Sequence, residues 1–473
     1  MIRSIKNKFN WSLLPTILIL AWPTMLEQLL ATAVQYIDTA MVGSLGDYAT
    51  AAVGSTTTVN WLVNSSISAL GIGFLAFIAQ AYGAGEKKNA RRASAQAVLT
   101  VLVTGAVFTV FTLALSSYVP VWMQVDESIQ SLAARYFFII YAPMLPRTAT
   151  IIFGSILRAV GDTKTPMLVG LAVNIINVIL NFFLIFDTRQ YTVFSHSITV
   201  YGAGLGVIGA AIASAVAFTV GGILITIALW RHKEISPRGC SVKPDRHILR
   251  PCFRVALPNM LQRFGTSLGY VAFASMINSL GDISTAAHTI ANTVESAFYI
   301  PGYGMQAAAS TLAGNALGAK DNAKMKELAR LLVFIEVLLM VVSGALLFVF
   351  APQMVSIFSD SDEVIRLGAI VLQMVAVSEP IFGAAIIMEG LMHGVGKTVA
   401  PFVFNIVGMW GVRIVGTFIC TQLLSMGLVS AWACMIGHNL LLFFMFLAYY
   451  LSGKWNPLNN AKNSLNINGG ANA

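Results

Sequence analysis

The sequence predicts an all-α integral membrane protein: twelve transmembrane helices in two six-helix bundles, related by a pseudo-two-fold axis along the membrane normal. Three observations predict it. Of the 473 residues, 57% are hydrophobic and 10% charged, against an ordinary ~45–50% and ~25% in soluble domains; mean hydropathy is +0.75. Apolar stretches long enough to cross a hydrocarbon core of ~30 Å recur along nearly the whole chain. The second half also repeats the first at a constant offset. So little charge cannot cover a water-facing surface, which excludes a cytosolic enzyme, a nucleic-acid binder and a secreted domain.

Twelve apolar segments cover residues 13–43, 49–83, 91–118, 129–157, 164–186, 203–230, 250–278, 284–317, 326–350, 363–393, 399–423 and 427–452. Each is expected to be helical, because lipid offers backbone N–H and C=O groups no partner. The basic start (Arg3, Lys6, Lys8) leads into about thirty apolar residues, too long for the ~7–15-residue core of a cleaved signal. The first segment therefore reads as a spanning helix. Net charge is +9, and its placement matters more than its sum. Lys87, Lys88, Arg91 and Arg92, then Arg158 and Lys164, then Arg231 to Arg250, then Lys320 to Arg330, and finally Lys397 fall in alternate connections. The other connections carry Asp47, Asp126, Glu127, Asp187, Asp282, Asp360, Asp362 and Glu363, with only Arg135, Arg189 and Arg366 near them. The positive-inside rule then puts both termini in the cytoplasm. The expectation is a multi-pass protein of the plasma membrane, the inner membrane in a bacterium.

The repeat sets the domain plan. Residues 23–47 and 258–282 share eight of 25 positions at an offset of 235, including Ser44-Leu45-Gly46-Asp47 against Ser279-Leu280-Gly281-Asp282. The same offset aligns Gly83-Ala84 with Gly318-Ala319 and Gly161…Pro166 with Gly396…Pro401. Six helices separate equivalent points, so the halves are parallel repeats with a binding cleft expected between them near the midplane. The plan is an N-lobe at 1–230, a basic cytoplasmic linker at 231–249, a C-lobe at 250–452 and a disordered Asn- and Gly-rich tail at 453–473. Of the four cysteines, Cys240 and Cys252 flank the basic linker, and Cys420 and Cys434 lie in apolar segments. None shows metal-ligand spacing or a disulfide framework.

Polar residues inside the membrane are functional hypotheses by default. Asp38 lies deep in the first segment, and its repeat partner is Phe273. A carboxylate confined to one lobe suits a reversible proton or cation site. Asn174, Asn177 and Asn181 share one face of the fifth segment, and Ser214 lies in the sixth. Carboxylate, amide and hydroxyl oxygens suit a small hard cation, although Asn is also common helix–helix glue in membranes. Glu27 precedes Asp38 by nearly three turns, ~16 Å along the same face. Glu295, one turn from Tyr299, is a C-lobe substrate or proton candidate. Glu379 and Glu389 are weaker candidates, and Glu336 reads as structural. Arg263 and Arg413 read as partners of buried acids or as snorkelling cations, and His288 and His438 as packing residues. Tyr36, Tyr141 and Tyr299, with the 19 Met, could line an adaptable cavity for flat cations. No phosphate loop, metal run or catalytic triad appears, so the chain reads as no enzyme and needs no cofactor. Energy would come from an ion gradient or the substrate's own.

The motifs then carry a resemblance. Ala21-Trp22-Pro23 leads to Asp38-Thr39-Ala40-Met41-Val42-Gly43-Ser44-Leu45-Gly46, followed by Ala79-Gln80-Ala81-Tyr82-Gly83-Ala84-Gly85 and Leu157-Arg158-Ala159-Val160-Gly161-Asp162-Thr163. The second half echoes them in Ala313-Gly314-Asn315-Ala316-Leu317-Gly318-Ala319. Over residues 13–452 the chain resembles the multidrug and toxic compound extrusion (MATE) family. The resemblance implies two six-helix bundles and H⁺- or Na⁺-driven export of lipophilic organic cations. It implies an N-lobe cation site at Asp38, Asn177, Asn181 and Ser214, where a Na⁺ would bind if that is the coupling ion. Asn181 stands where some members have aspartate, which removes one negative charge and favours H⁺. Thr266 and Phe382 stand where other branches carry acids, so the chain is similar to the DNA-damage-inducible-F-like side of the family. The alternative within the same superfamily is a flippase for a lipid-linked sugar, which would want a cavity rich in Arg and Lys. Organic cations and membrane lipid are the expected partners, with no nucleic acid, and the protein is expected to be a monomer.

Overall fold

The computed structural model describes residues 10–193 and 196–459; the basic residues Arg3, Lys6 and Lys8 lie outside it. Twelve helical spans follow in order. A single 3₁₀ turn leads into α1 (Leu14–Gly43), followed by α2 (Asp47–Gly83) and α3 (Lys87–Leu115). Span α4 is a pair, Glu127–Tyr141 and Met144–Ala159, bent by 49°. Then come α5 (Lys164–Leu184), α6 (Gly206–Arg231), α7 (Arg246–Asn278), α8 (Asp282–Gly318), α9 (Asn322–Ser356) and α10 (Asp362–Gly394). The last two are α11 (Val399–Leu423) and α12 (Leu428–Leu451). Among the described residues nine of these are long and apolar enough to cross a membrane singly, and α4 is a tenth as a bent pair. The other two, α7 and α8, dilute their apolar residues with groups such as Asn259, Gln262, Arg263, His288 and Gln306, which they use for packing between helices.

Three features depart from the sequence reading. The fourth segment is not one rod: Pro143 cannot donate to the helical ladder, and the chain bends there. The connection after α5 is a β-hairpin, β1 (Asp187–Val193) against β2 (His196–Ala203), with Tyr191 opposite Ile198. β-branched and aromatic residues run through both strands, Tyr191-Thr192-Val193 and Ile198-Thr199-Val200-Tyr201, as a strand favours. Helix α11 contains two π stretches, Val407–Ile414 and Ile419–Leu423. Residues 453–459, which the sequence reading assigned to the tail, pack against the C-lobe. Trp455 is buried and stacks on Tyr450 at 5.3 Å, and buried Asn456 donates to Asn322 at 2.8 Å. Residues 460–473 lie outside the described structure.

The linker is tied down along α3. Gln96 donates to the Lys243 carbonyl at 2.8 Å and accepts from the Asp245 backbone N–H at 2.9 Å. Arg92 pairs with Asp245 at 2.7 Å. Lys87 pairs with Glu234 at 2.6 Å, and bonds from Lys87 and Tyr82 hold the Glu234 carboxyl below its usual range.

The repeat is visible in the backbone. Gly46 and Gly281 have φ of 112° and 97°, and Gly161 and Gly396 have φ of 88° and 78°; all four adopt conformations that a Cβ disfavours. Lys320 has φ 55°, where its N-lobe counterpart is Gly85 at φ 75°.

The lobes meet through their repeat-related helices, in the halves nearest the chain termini. A Cβ on Gly83 would collide with the Asn315 carbonyl, and one on Gly318 with the Gln80 carbonyl; these four residues form two pairs 235 apart. Around this crossing, α1 enters the C-lobe core through Ile17, Leu20 and Ala21, and α7 enters the N-lobe core through Ile248 and Cys252. Hydrogen bonds fasten it: Thr24 to the Gly304 carbonyl at 2.8 Å, Gln80 to the Gly394 carbonyl at 3.0 Å, and Thr311 to the Arg158 carbonyl at 3.1 Å. In the first half of α2, Tyr48 and Trp61 are 50% and 57% exposed.

Two substitutions test this frame. Gly318→Ala should lower the thermal midpoint of the detergent-solubilised protein, at an overpacking cost of about 1–3 kcal/mol. Gly54→Ala on α2, where nothing lies within 4 Å, should leave it unchanged or slightly raised; equal effects would refute a tight crossing. Lys320→Gly should raise the midpoint, because glycine holds the left-handed conformation without the roughly 1–2 kcal/mol that a Cβ costs there, against a smaller entropic cost of glycine.

Candidate functional site

The N-lobe carries a polar chain buried among apolar helices. Asn177 and Asn181 are one turn apart on α5 and almost fully buried, while Asp38 of α1 and Ser214 of α6 are half-buried. Asn181 Nδ2 donates to Asp38 Oδ1 at 2.6 Å and lies 3.3 Å from Asn177. Asn177 stands 3.1 Å from the Ser214 hydroxyl. Turned so that its nitrogen faces the carboxylate, Asn177 donates to Asp38 Oδ1 at 2.7 Å and Oδ2 at 3.1 Å and accepts from Ser214. Hydrogen bonding assigns that orientation, since O and N are otherwise interchangeable. Two amides thus donate to one carboxylate, in the lobe where no cation is bonded to it. Asn174 lies outside this chain of bonds. Asn181 Oδ1 is buried without a partner, and a protonated carboxyl or a small cation could use that oxygen. Among the described residues no cluster of three His, Cys, Asp or Glu side chains exists, so the chemistry is that of one charge and neutral oxygens.

The expected cavity residues divide. Tyr36, two residues before Asp38 on α1, crosses to the C-lobe and donates to the Thr293 carbonyl at 3.2 Å, with its oxygen 3.0 Å from Ser296 Oγ. On that same helix, α8, Glu295 is 6% exposed. Tyr299 packs edge-on to Tyr303 at 6.0 Å and to Phe382 at 5.9 Å. Tyr36 therefore meets α8 one position from Glu295, while Tyr299 packs inside the C-lobe against α10. Tyr141 and Glu27 do not join them. Tyr141 is fully buried in the N-lobe core against Phe137 at 4.3 Å. Glu27 is engaged by Arg158, which the sequence placed in a connection, with both carboxylate oxygens 3.1–3.2 Å from Nη1.

Other charges find structural partners. Arg147, which the sequence reading did not single out, is 5% exposed, bonds Asn60 at 2.6 Å and lies over the Phe218 ring at 4.6 Å. Arginine inside an apolar segment was the available signal. Glu389 accepts from Gln262 at 2.6 Å and Gln306 at 3.4 Å, with His393 at 3.6 Å. Asn259 joins His393 at 2.9 Å and accepts from Arg263 at 3.0 Å. Arg413 lies over Phe273 at 4.2 Å and Tyr270 at 4.9 Å, so it meets ring faces rather than a bonded acid. Glu336 and Glu379 are 0% and 1% exposed. Both Glu336 oxygens and Glu379 Oε2 lack hydrogen-bond partners.

The profile of the family described as MatE matches residues 23–183 and 258–419. The two matches begin at Pro23 and Pro258, the repeat-related prolines, and together cover more than half of the chain. The chain belongs to the MATE family. MATE proteins are transporters, not enzymes, and the N-lobe polar chain is to be read in that light. Among MATE relatives, the chain is 27% identical over 436 residues to a Thermotoga maritima protein described as "Probable multidrug resistance protein NorM", covering 92% of each. It is 26% identical over 425 residues to a Bacillus subtilis protein described as "Probable multidrug resistance protein YoeA", covering 87% of each. A solved structure described as the outward-facing conformation of a multidrug resistance MATE family transporter superposes with a TM-score of 0.84 at 22% identity, over 94% of this chain and 96% of that one. The MATE fold accounts for the twelve spans and the two lobes.

The Glu27–Arg158 pair yields a test that separates packing from transport. Glu27→Ala strands a mostly buried guanidinium, so the thermal midpoint should fall, by roughly 1–3 kcal/mol between the exposed and buried limits. Glu27→Gln with Arg158→Met should recover most of it. A single variant as stable as wild type would mean that the pair contributes nothing.

Proposed function

We propose that this MATE protein exports lipophilic organic cations and drugs by alternating access of its two lobes, in exchange for H⁺ or Na⁺ taken up at Asp38. The observation that carries this reading is the bonding of Asp38: one carboxylate, held by two amides across α1 and α5, beside an amide oxygen without a partner. The multidrug resistance descriptions of the relatives support the substrate class. The intramembrane arginines support drug export over lipid-linked sugar transport. Arg158, Arg147 and Arg413 are taken up by Glu27, Asn60 and ring faces, and do not form a basic cluster for a pyrophosphate.

The coupling follows from where α1 sits. One side of α1 is tied to α5 and α6 through Asp38, and the other is tied to α8 through Tyr36, two residues away. With Asp38 ionised, the amides donate to it and hold α1 against α5. A proton on Asp38 removes an acceptor and creates a donor, which suits the free Asn181 oxygen instead. A Na⁺ would turn the amide oxygens inward. Either event changes the bonds that hold α1, and α1 carries the change to the α1–α8 boundary where Tyr36 bonds α8. With the termini in the cytoplasm of a bacterial plasma membrane, the lobes part toward the outside and the glycine crossing closes the inner side. Asn181 in place of a second carboxylate favours H⁺ and aligns the chain with the DNA-damage-inducible-F-like side of the family.

Drug flux in proteoliposomes tests this. Asp38→Asn keeps the shape of the side chain and removes its charge; it should fold, bind ethidium and lose gradient-driven flux. Ser214→Ala removes a neutral hydrogen bond of about 1 kcal/mol and should weaken coupling roughly fivefold, and Asn177→Ala, which loses bonds to the Asp38 carboxylate, should weaken it more but less than Asp38→Asn. A pH gradient without sodium should suffice to drive wild type if the ion is H⁺, and a sodium gradient at fixed pH if it is Na⁺. Undiminished coupled flux in Asp38→Asn would move the coupling acid elsewhere, first to Glu295.

A further inference from the structure

Two of the four cysteines meet across the last helical hairpin. Cys420 lies in the closing π stretch of α11, Ile419–Leu423, and Cys434 lies in the second turn of α12. Their sulfurs are 3.9 Å apart, both are free thiols, and both residues are part-exposed. The chain reverses between them in a tight turn in which Ser425 adopts φ 51°, so the two helices run antiparallel and side by side. Gly416 makes room for the pair: a Cβ there would stand 3.1 Å from Cys434 Sγ. An open depression lined by Cys420, Met426, Gly427, Ser430 and Cys434 gives a small molecule access to both sulfurs. Among the described residues no third His, Cys, Asp or Glu joins them, so they do not make a metal centre of the usual three or four ligands.

We propose that Cys420 and Cys434 form a redox modification site that closes to a disulfide by exchange with a low-molecular-weight disulfide such as oxidised glutathione. One thiol loses its proton and its sulfur attacks the small disulfide, which releases one small thiolate and leaves a mixed disulfide on the protein. The second thiol loses its proton and displaces the other small thiolate. Two protein thiols are oxidised, one small disulfide is reduced to two thiols, and the two protons end on those thiols. The sulfurs must close from 3.9 Å to about 2.05 Å, a shift within reach of side-chain rotation. The bond ties the end of α11 to α12 at the point where the α-helical ladder of α11 gives way to π turns. It closes a short loop and so removes freedom from the unfolded chain. The pair lies at the face opposite the chain termini. On the topology proposed above, that face is the oxidising side in a bacterium, where disulfides persist.

The test uses the full-length protein with Cys240→Ser, which removes the linker thiol. The purified protein is incubated with oxidised glutathione, denatured, alkylated with iodoacetamide and weighed by intact-mass spectrometry. The expected result is the loss of two adducts, both restored by dithiothreitol, with no retained glutathione. The thermal midpoint should rise on oxidation and return on reduction. With Cys434→Ser added, oxidation should give no internal bond and no rise in midpoint. In the protein that keeps both cysteines, persistence of all adducts after oxidation, or a stable glutathione adduct on either residue, overturns the proposal. Membranes alkylated at harvest separate the site from the topology. A bond that forms in the purified protein while both thiols are free in membranes would keep the site and reject its placement on the oxidising side.

Discussion

The contact on which the rest of the structure depends is the crossing of α2 and α8. Gly83 lies against the Asn315 carbonyl and Gly318 against the Gln80 carbonyl, so two backbones touch where side chains usually hold helices apart. In lipid there is no hydrophobic drive to press helix on helix, and close packing of small residues replaces it. The crossing also brings α1 into the C-lobe core and α7 into the N-lobe core. Farther along, Tyr36 bonds the Thr293 carbonyl across the same two lobes.

Within that frame, the polar groups sort by whether they have a partner. The C-lobe network of Gln262, Gln306, Glu389, His393, Asn259 and Arg263 is bonded from three helices, which offsets the cost of burying it, although Gln262 Oε1 has no partner. In the N-lobe, Glu27 pairs with Arg158 and Arg147 bonds Asn60. These groups hold helices together. Asp38 differs from them: it is half-buried, its donors are neutral amides that can rotate, and one amide oxygen beside it is unused. A site meant to gain and lose a cation needs this kind of neighbourhood, in which either state finds a hydrogen-bond partner.

Much of the frame was legible in the sequence because membrane physics restricts the choices. Span limits agreed to a few residues, since helix is the one open structure lipid allows, and the offset of 235 placed equivalent turns in both lobes. The bend at Pro143, the hairpin at Asp187–Val193 and His196–Ala203, and the π stretches of α11 were not legible. The first two depend on local backbone geometry inside or between apolar runs, and hydropathy is blind to both. The π stretches leave no mark in composition. At the site, Asn177 and Asn181 could be paired by their spacing along one helix. The link from Asp38 to Asn181 spans 143 residues, and that from Glu27 to Arg158 spans 131. No periodicity reports such distances, so from sequence Glu27 stood open between lining the route of Asp38 and bonding a neighbouring helix, and Arg158 read as a loop cation.

The symmetry breaks where the coupling chemistry is proposed. At the offset of 235, Asp38 faces Phe273. The family matches begin 235 residues apart and end 236 apart, and the π stretch Val407–Ile414 is where α11 takes up an extra residue. Counted through it, the counterpart of Asn177 is Arg413 and that of Asn181 is Thr417. The N-lobe thus sets a carboxylate against two amides, and the C-lobe sets an aromatic ring against a guanidinium 4.2 Å from its centre. The two arrangements are electrostatic opposites. One offers oxygens to an incoming cation; the other already contains a cation, tethered to the chain and held over ring faces that attract it. An ion entering the C-lobe position would meet the positive charge of Arg413 and no carboxylate at position 273. On the function proposed above, cation exchange at this pair of positions belongs to the N-lobe, and α1, the helix that carries Asp38, is also one that enters the core of the other lobe.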